Sequence, residues 1–493
     1  MLALFPGLLA VLGLLLSGAW DLWAQSLLLL AVLAAAVLWL CGRLLCGTVP
    51  LPPRSLLVWT AGLAVWGGLS AYAGPLPAYA VPAWHVWLAA LGVLLAFSVM
   101  PEAERRLVDH GLRAVAWALA LLAVYQHYGL HLERPPASLL NENVFAGALL
   151  LFLPLAVAQK DWLLAGLLLL CLFWAHSVGA WLGLAAATLL VRRRGAPGNT
   201  PARMAAAAVL AVCLVLVVAK LGTPDVRDRW VWWTAAARMS RVRPWLGFGP
   251  GTYAYALPAY VSPGRPLGSL FAHQHFLETA AEQGWPFLAA WLAGLGLILR
   301  RGPAAKRVAV VALLIQSLWD YALSIPAVLW LFSCCVGSCL SESGRGLDVP
   351  ARWRLPACAL ALVAGLCAGQ SVWQRWQADR GLSQAQALVR SGGSAEEALA
   401  LLDASARHCD HPETARLSGL IEASLSGEQP GEAPRLLAAA ADFERAAAQN
   451  PFRASTWSLL ETTYHRLGRE DLARAAHARG AAACPSLRGY GPH

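Results

Sequence analysis

Two histidines and two glutamates fall within ten residues of the stretch AHQHFLETAAEQGWP, residues 272–286: His273, His275, Glu278 and Glu282. A neutral imidazole can take a proton from an attacking hydroxyl. Read as a helix over 273–284, the stretch puts His273, Leu277, Ala280 and Gly284 on one face and His275, Glu278 and Glu282 on another. The first face is small and apolar, so it should pack against other helices, desolvating His273 and holding it neutral. The second is a polar strip or a weak metal site with too few ligands at usual spacing, and no metal is assigned to it. Upstream, Arg229, Arg238, Arg241 and Arg243 precede the turn RPWLGFGPG. Guanidinium groups bind phosphate oxygens in a planar fork and keep their charge. The cluster therefore reads either as a phosphate or diphosphate site or as a patch that adheres to anionic lipid headgroups. The turn follows no strand, so it is not a nucleotide-binding loop. Its glycines let backbone approach a ligand closely.

The elements that must hold these groups are set by composition. The chain has 493 residues, 58% of them hydrophobic and 13% charged, and no soluble fold of that length hides so much apolar surface. The expectation is an all-α, polytopic membrane protein. Thirteen apolar runs match the hydrocarbon thickness: 3–19, 23–41, 55–73, 84–100, 112–129, 142–158, 161–176, 178–191, 204–221, 286–300, 307–322, 324–340 and 355–371. The first lacks a basic leader and a cleavage site, so it reads as a retained helix. Arginine and lysine fall in alternate short loops (Arg43 and Arg54; Arg105, Arg106 and Arg113; Lys160; Arg300 and Lys306; Arg352 and Arg354). That bias places the amino terminus in the cytoplasm and the loop 222–285 outside. It also accounts for the net charge of +10 without a nucleic-acid partner.

The organisation is thus a membrane domain over 1–371, an external loop at 222–285 and a polar helical tail over 372–493, also external. In the tail, Pro451 and Pro485 stand 34 residues apart, the tetratricopeptide period. Trp457, Leu460, Tyr464 and Ala473 occupy consensus positions, as do Phe443 and Ala446 in the unit before. Helix pairs of this kind make concave surfaces for a protein partner rather than active sites. Cys409 and Cys484 are open to disulfide pairing in an oxidising compartment.

HQHFLETAAEQGWPF resembles the histidine signature of bacterial O-antigen ligases and related O-oligosaccharyltransferases, with His273, Gln274 and Gly284 fitting and Phe287 departing. RPWLGFGPGTY, NENVFAGALLLFLP (Asn141, Asn143) and QSLWDYALSIPA (Asp320) resemble further segments of that superfamily. The Ser-Arg-Gly that many members carry before the outer loop is Ser177, Val178 and Gly179 here. The resemblance implies an enzyme of the GT-C type in the bacterial cytoplasmic (inner) membrane. It would move an oligo- or polysaccharide from undecaprenyl diphosphate to an acceptor hydroxyl by inversion, without metal or other cofactor. It points to O-antigen ligation, with lipid A-core as acceptor. The alternatives are a polymerase using a glycan acceptor, a protein O-oligosaccharyltransferase, and a transporter of lipid-linked sugar. His273 is the expected base, with Glu282 orienting an imidazole or the acceptor. Arg229, Arg238 and Arg243 are expected at the diphosphate. Asn143, His275 and Asp320 complete the expected binding residues. An acid such as Asp320 in an apolar span marks either a cavity or a structural hydrogen bond.

Overall fold

The computed structural model describes residues 5–191, 200–220, 223–261, 268–300, 302–340, 345–426 and 433–484. These residues are almost entirely helical. The amino-terminal half holds α1 (Phe5–Leu15), α2 (Leu22–Cys46), α3 (Arg54–Ala73), α4 (Pro77–Val99), α5 (Glu102–Tyr128), α6 (Glu142–Ala158), α7 (Trp162–Trp174), α8 (Val178–Leu190) and α9 (Thr200–Lys220). The outer loop supplies α10 (Pro224–Val242) and the single turn α11 (Tyr253–Ala256). Then come α12 (His275–Leu299), α13 (Ala304–Gln316), α14 (Pro326–Gly337) and α15 (Ala351–Arg390). The tail closes with α16 (Ala395–His408), α17 (Pro412–Leu425), α18 (Ala433–Gln449), α19 (Ala454–Arg466) and α20 (Glu470–Ala483).

Each of the thirteen predicted spans overlaps a helix. Five helices (α2, α3, α4, α5 and α15) are long and apolar enough to cross a bilayer by length and composition, and six more are shorter apolar helices. A helix apolar on every side must be central or lipid-facing, and both kinds occur. Every residue of α14 is buried, as are most of α6. By contrast, Leu38 on α2, Val215 on α9 and Leu366 on α15 point outward and are exposed, a surface that hydrocarbon satisfies and water does not. The chain is a polytopic, all-α membrane protein.

Charged loops expected on one side do meet. Thr48–Leu51 (β1) pairs antiparallel with Arg345–Asp348 (β2), tying the α2–α3 loop to the α14–α15 loop. Arg113 likewise meets Asp161 at 2.7 Å. The hydropathy pattern gave no sign of this small sheet. Arg105 is buried and donates to the carbonyls of Met100 (2.8 Å) and Leu340 (2.9 Å). Its positive charge sits where two chain segments leave α4 and α14, whose carboxyl ends favour a cation.

Two boundaries differ from expectation. No break separates membrane domain from tail at 371–372, because α15 continues for 40 residues, about 60 Å of helix at 1.5 Å per residue. The span expected from 286 is the second part of α12, whose first part runs up from His275 and bends at Gly284 (φ 83°), with Pro286 just beyond.

The tail is a succession of antiparallel helix pairs. The positions chosen from the 34-residue spacing form its core: Phe443, Ala446, Trp457, Leu460 and Ala473 are buried. Pro485 lies outside the described residues. Cys409 and Cys484 are unpaired, the first beside Arg375 and the second on the Pro451 carbonyl. The tail also does something a detached partner surface would not. Phe452 packs edge-on to Phe248 of the glycine turn at 5.8 Å and near Tyr260. Tyr79 of α4 donates to Glu413 at 3.1 Å, and Glu413 is ion-paired with Arg453. The tail is therefore seated on the outer loop.

Candidate active site

Helix α10 starts at Pro224, where the fixed proline φ suits the first helical position. Thr223 occupies the cap position. The helix lies against α12, aiming Trp232 at His273 just before it and Arg229 at the Trp319 carbonyl after α13.

His273 is not on the α12 face expected for it. The helix begins two residues later, with Gln274 as N-cap accepting from Leu277 N–H. His273 itself adopts a left-handed backbone, φ 53°, a conformation rare outside glycine, asparagine, aspartate and histidine. This turns the imidazole away from Leu277 and between two rings. It stacks on Trp232 at 4.9 Å and meets Tyr321 edge-on at 4.8 Å. Its Nδ1 is buried with no hydrogen-bond partner. Burial, and then the positive charge of Arg229, lower the imidazole to about 4 from its ordinary 6.5. The ring is neutral at physiological pH and has no hydrogen bond on Nδ1 to give up.

Arg229 donates to the Trp319 carbonyl at 2.8 Å. That anchors the guanidinium beside Asp320, whose Oδ1 accepts from Tyr321 N–H at 2.8 Å, and within electrostatic reach of both Asp320 and His273. The structure thus brings His273, Arg229 and Asp320 together. Asn143 is held by its carbonyl, which accepts from Gln316 at 2.9 Å, just after Asn141 caps α6. Arg238 and Arg243 lead elsewhere. Arg238 donates to Tyr260 O at 3.0 Å, and Arg243 lies over the Phe248 ring and reaches the Ala73 carbonyl.

Glu282 and His275 are buried on the other side of the 275–283 segment. Glu282 accepts from the backbone N–H of Gly251 (2.8 Å) and of Tyr253 (2.9 Å), so both oxygens serve the glycine turn and neither touches His273. Phe248 and Gly249 N–H add bonds to the Ala281 and Glu282 carbonyls. The approach is so close that a Cβ on Gly247 would lie 2.3 Å from the Glu282 carbonyl. The glycines that seemed suited to a ligand are used to clip the turn to α12. His275 Nδ1 pairs with Ser324 Oγ at 3.0 Å, and Ser324 donates to Glu278 at 2.7 Å. Burial pushes the Glu278 and Glu282 carboxyls up and the His275 imidazole down. Among the described residues, no three such side chains converge as a metal-holding group.

Replacing Glu282 with alanine will leave the Tyr253 N–H buried without an acceptor, at about 1–3 kcal/mol, and will free the part-buried Gly251 N–H as well. The expected result is a lower thermal midpoint of the detergent-purified protein. A midpoint equal to that of the wild type would show that the turn holds without the clip.

A cavity of about 630 Å³ opens beside these residues, lined by His275, Glu278 and Glu282 but not by His273. It approaches the imidazole through Phe271, which lines it and stacks on Tyr321 at 4.2 Å. Sequence reasoning passed over Tyr321, Ser324 and Gln283. Tyr321 stood next to the chosen Asp320 in QSLWDYALSIPA, and that adjacency was the one available signal.

No curated protein matches the chain. Residues 163–292 match the family described as O-antigen ligase. That segment contains Arg229, Arg238, Arg243, His273, His275 and Glu282; Asn143 and Asp320 lie on either side of it. That match, over about a quarter of the chain, supports a likeness to the superfamily of O-antigen ligases and polymerases.

Proposed function

We propose that the protein is an O-antigen ligase in the bacterial inner membrane, transferring a glycan from undecaprenyl diphosphate to a hydroxyl of lipid A-core, with the amino terminus cytoplasmic and the tetratricopeptide-like tail external. The observation that carries this reading is one contact set: a neutral imidazole, His273, held between Trp232 and Tyr321 and within reach of the Arg229 charge. The acceptor hydroxyl attacks the anomeric carbon and passes its proton to His273. As the new C–O bond forms, the bond to the lipid diphosphate breaks. Its electron pair leaves with the diphosphate, whose growing charge Arg229 stabilises. One in-line displacement inverts the anomeric centre. Asp320 holds the segment Trp319–Tyr321 in register with Arg229, and Asn143 borders that segment. Arg238, Arg243 and Glu282 act indirectly, by bracing the outer loop.

Deleting the gene tests the acceptor. Bare lipid A-core with intact lipid-linked polymer is the expected outcome. Single repeat units on the core would reassign the protein as a polymerase, and unmodified secreted proteins beside normal lipopolysaccharide would make it a protein glycosyltransferase.

A further inference from the structure

The cavity of about 630 Å³ has walls from two parts of the chain: α4, the α12 segment 275–283 and the residues before α14 on one side, and α15, α17 and Arg453 of the tail on the other. We propose that it binds a neutral oligosaccharide, and that this saccharide is the acceptor strand; the word acceptor rests on the function proposed above.

Three observations carry the binding site. The first is its rings. Trp20, Trp87, Tyr255 and Phe271 line it, flat apolar faces on which the C–H face of a sugar ring can lie. The second is its charge. Glu413 is matched by Arg453, and Glu278 and Glu282 are each bonded through both oxygens to backbone N–H groups or Ser324. Arg375 and Asp379, one of each sign, stand one helical turn apart on α15. With two arginines against four carboxyl groups, the lining has no positive excess to hold an anion, but it has donors and acceptors for hydroxyl groups. The third is Gln283. It lines the cavity, is 1% exposed, and neither its amide nitrogen nor its amide oxygen has a partner in the protein. Buried polar groups are rarely left unpaired, and a pair of neighbouring hydroxyls supplies the donor and the acceptor that this amide needs. Arg375 Nε is a further buried donor without a partner.

The placement fits an acceptor. Phe271 lines the cavity and stacks on Tyr321, which meets His273 edge-on, so a strand lying in it ends two rings away from the imidazole. It also gives the seated tail a function, since the tail forms one wall.

The test is native mass spectrometry of the detergent-purified full chain, mixed with the pool of neutral oligosaccharides released from the producing cell's own surface glycans. Wild type should retain a saccharide. Gln283→Leu should weaken retention at least tenfold with a thermal midpoint unchanged or raised, because leucine removes an unpaired buried amide. Ala78→Trp, which narrows the cavity from the start of α4, should also weaken it at least tenfold. His273→Ala should retain the saccharide as wild type does. The proposal is overturned if wild type retains no saccharide, if phospholipid or detergent occupies the site instead, or if neither Gln283→Leu nor Ala78→Trp alters retention. Saccharide retention in a protein that transfers no glycan would leave the binding site standing and remove only the function assigned to it.

Discussion

Replacing His273 with alanine will slow glycan transfer by about 10²–10⁴-fold, the range spanned by a positioned general base, without lowering the amount of protein in the membrane. The fold should tolerate the change because Nδ1 makes no hydrogen bond to lose. Asparagine is the sharper control. It suits the left-handed backbone at 273 and removes the base, so His273→Asn should be as inactive as alanine and at least as stable. The pH profile carries a second signature. The folded value of about 4 lies below the ordinary 6.5, so the base form persists well into acid. Transfer should stay level from pH 8 down through 6 and fall only as pH approaches about 4; a histidine of ordinary value would already lose activity near 6.5. Linkage has the same sign: stability from burying the neutral ring is complete above about 6.5 and is lost as pH falls through about 4.

Arg229→Ala will cost about 10²–10³-fold in the rate of the chemical step, comparable to removing one preorganised donor from a developing oxyanion. Lysine in its place keeps the charge but not the forked geometry, so it should restore activity only in part. Arg229 also fastens α10 to Trp319, and the thermal midpoint of each variant separates that structural role from the electrostatic one. Single-turnover rates at saturating donor check the assignment: a loss confined to donor affinity would show that Arg229 binds the ground state and gives the transition state nothing more. Arg238→Ala should leave the single-turnover rate within a few-fold of wild type, since its guanidinium is directed to Tyr260.

The membrane helices were legible because their signal is local: a run of apolar residues of the right length, punctuated by charge, reads the same in any context. What was lost is what depends on residues far apart in sequence. Glu282 looked like a partner for an imidazole because both lie in one stretch, yet its oxygens are taken by Gly251 and Tyr253 N–H, about thirty residues earlier. The arginine cluster looked like one site. The helical turn of α10 and the Gly-Pro bend disperse it, leaving Arg229 near His273 and sending Arg238 and Arg243 to backbone carbonyls of other segments. Helical periodicity placed His273 beside Leu277, but the left-handed residue before the cap removed it from that face. The seating of Phe452 on Phe248 joins positions some two hundred residues apart, and no pattern within the tail announces it. His273 and Arg229 are proposed because their residue types suit proton removal and anion stabilisation, and the structure brings the two within electrostatic reach.

In the proposed reaction, His273 and Arg229 act in one transition state. A double-mutant cycle measures this directly, using His273→Ala, Arg229→Ala and the pair, with single-turnover transfer from a prenyl-diphosphate glycan as the readout. Groups that act as a unit are strongly non-additive, so the double variant should lose no more than about tenfold beyond the worse single variant. Losses that multiply in full would mean that the two residues act independently, and would contradict the account.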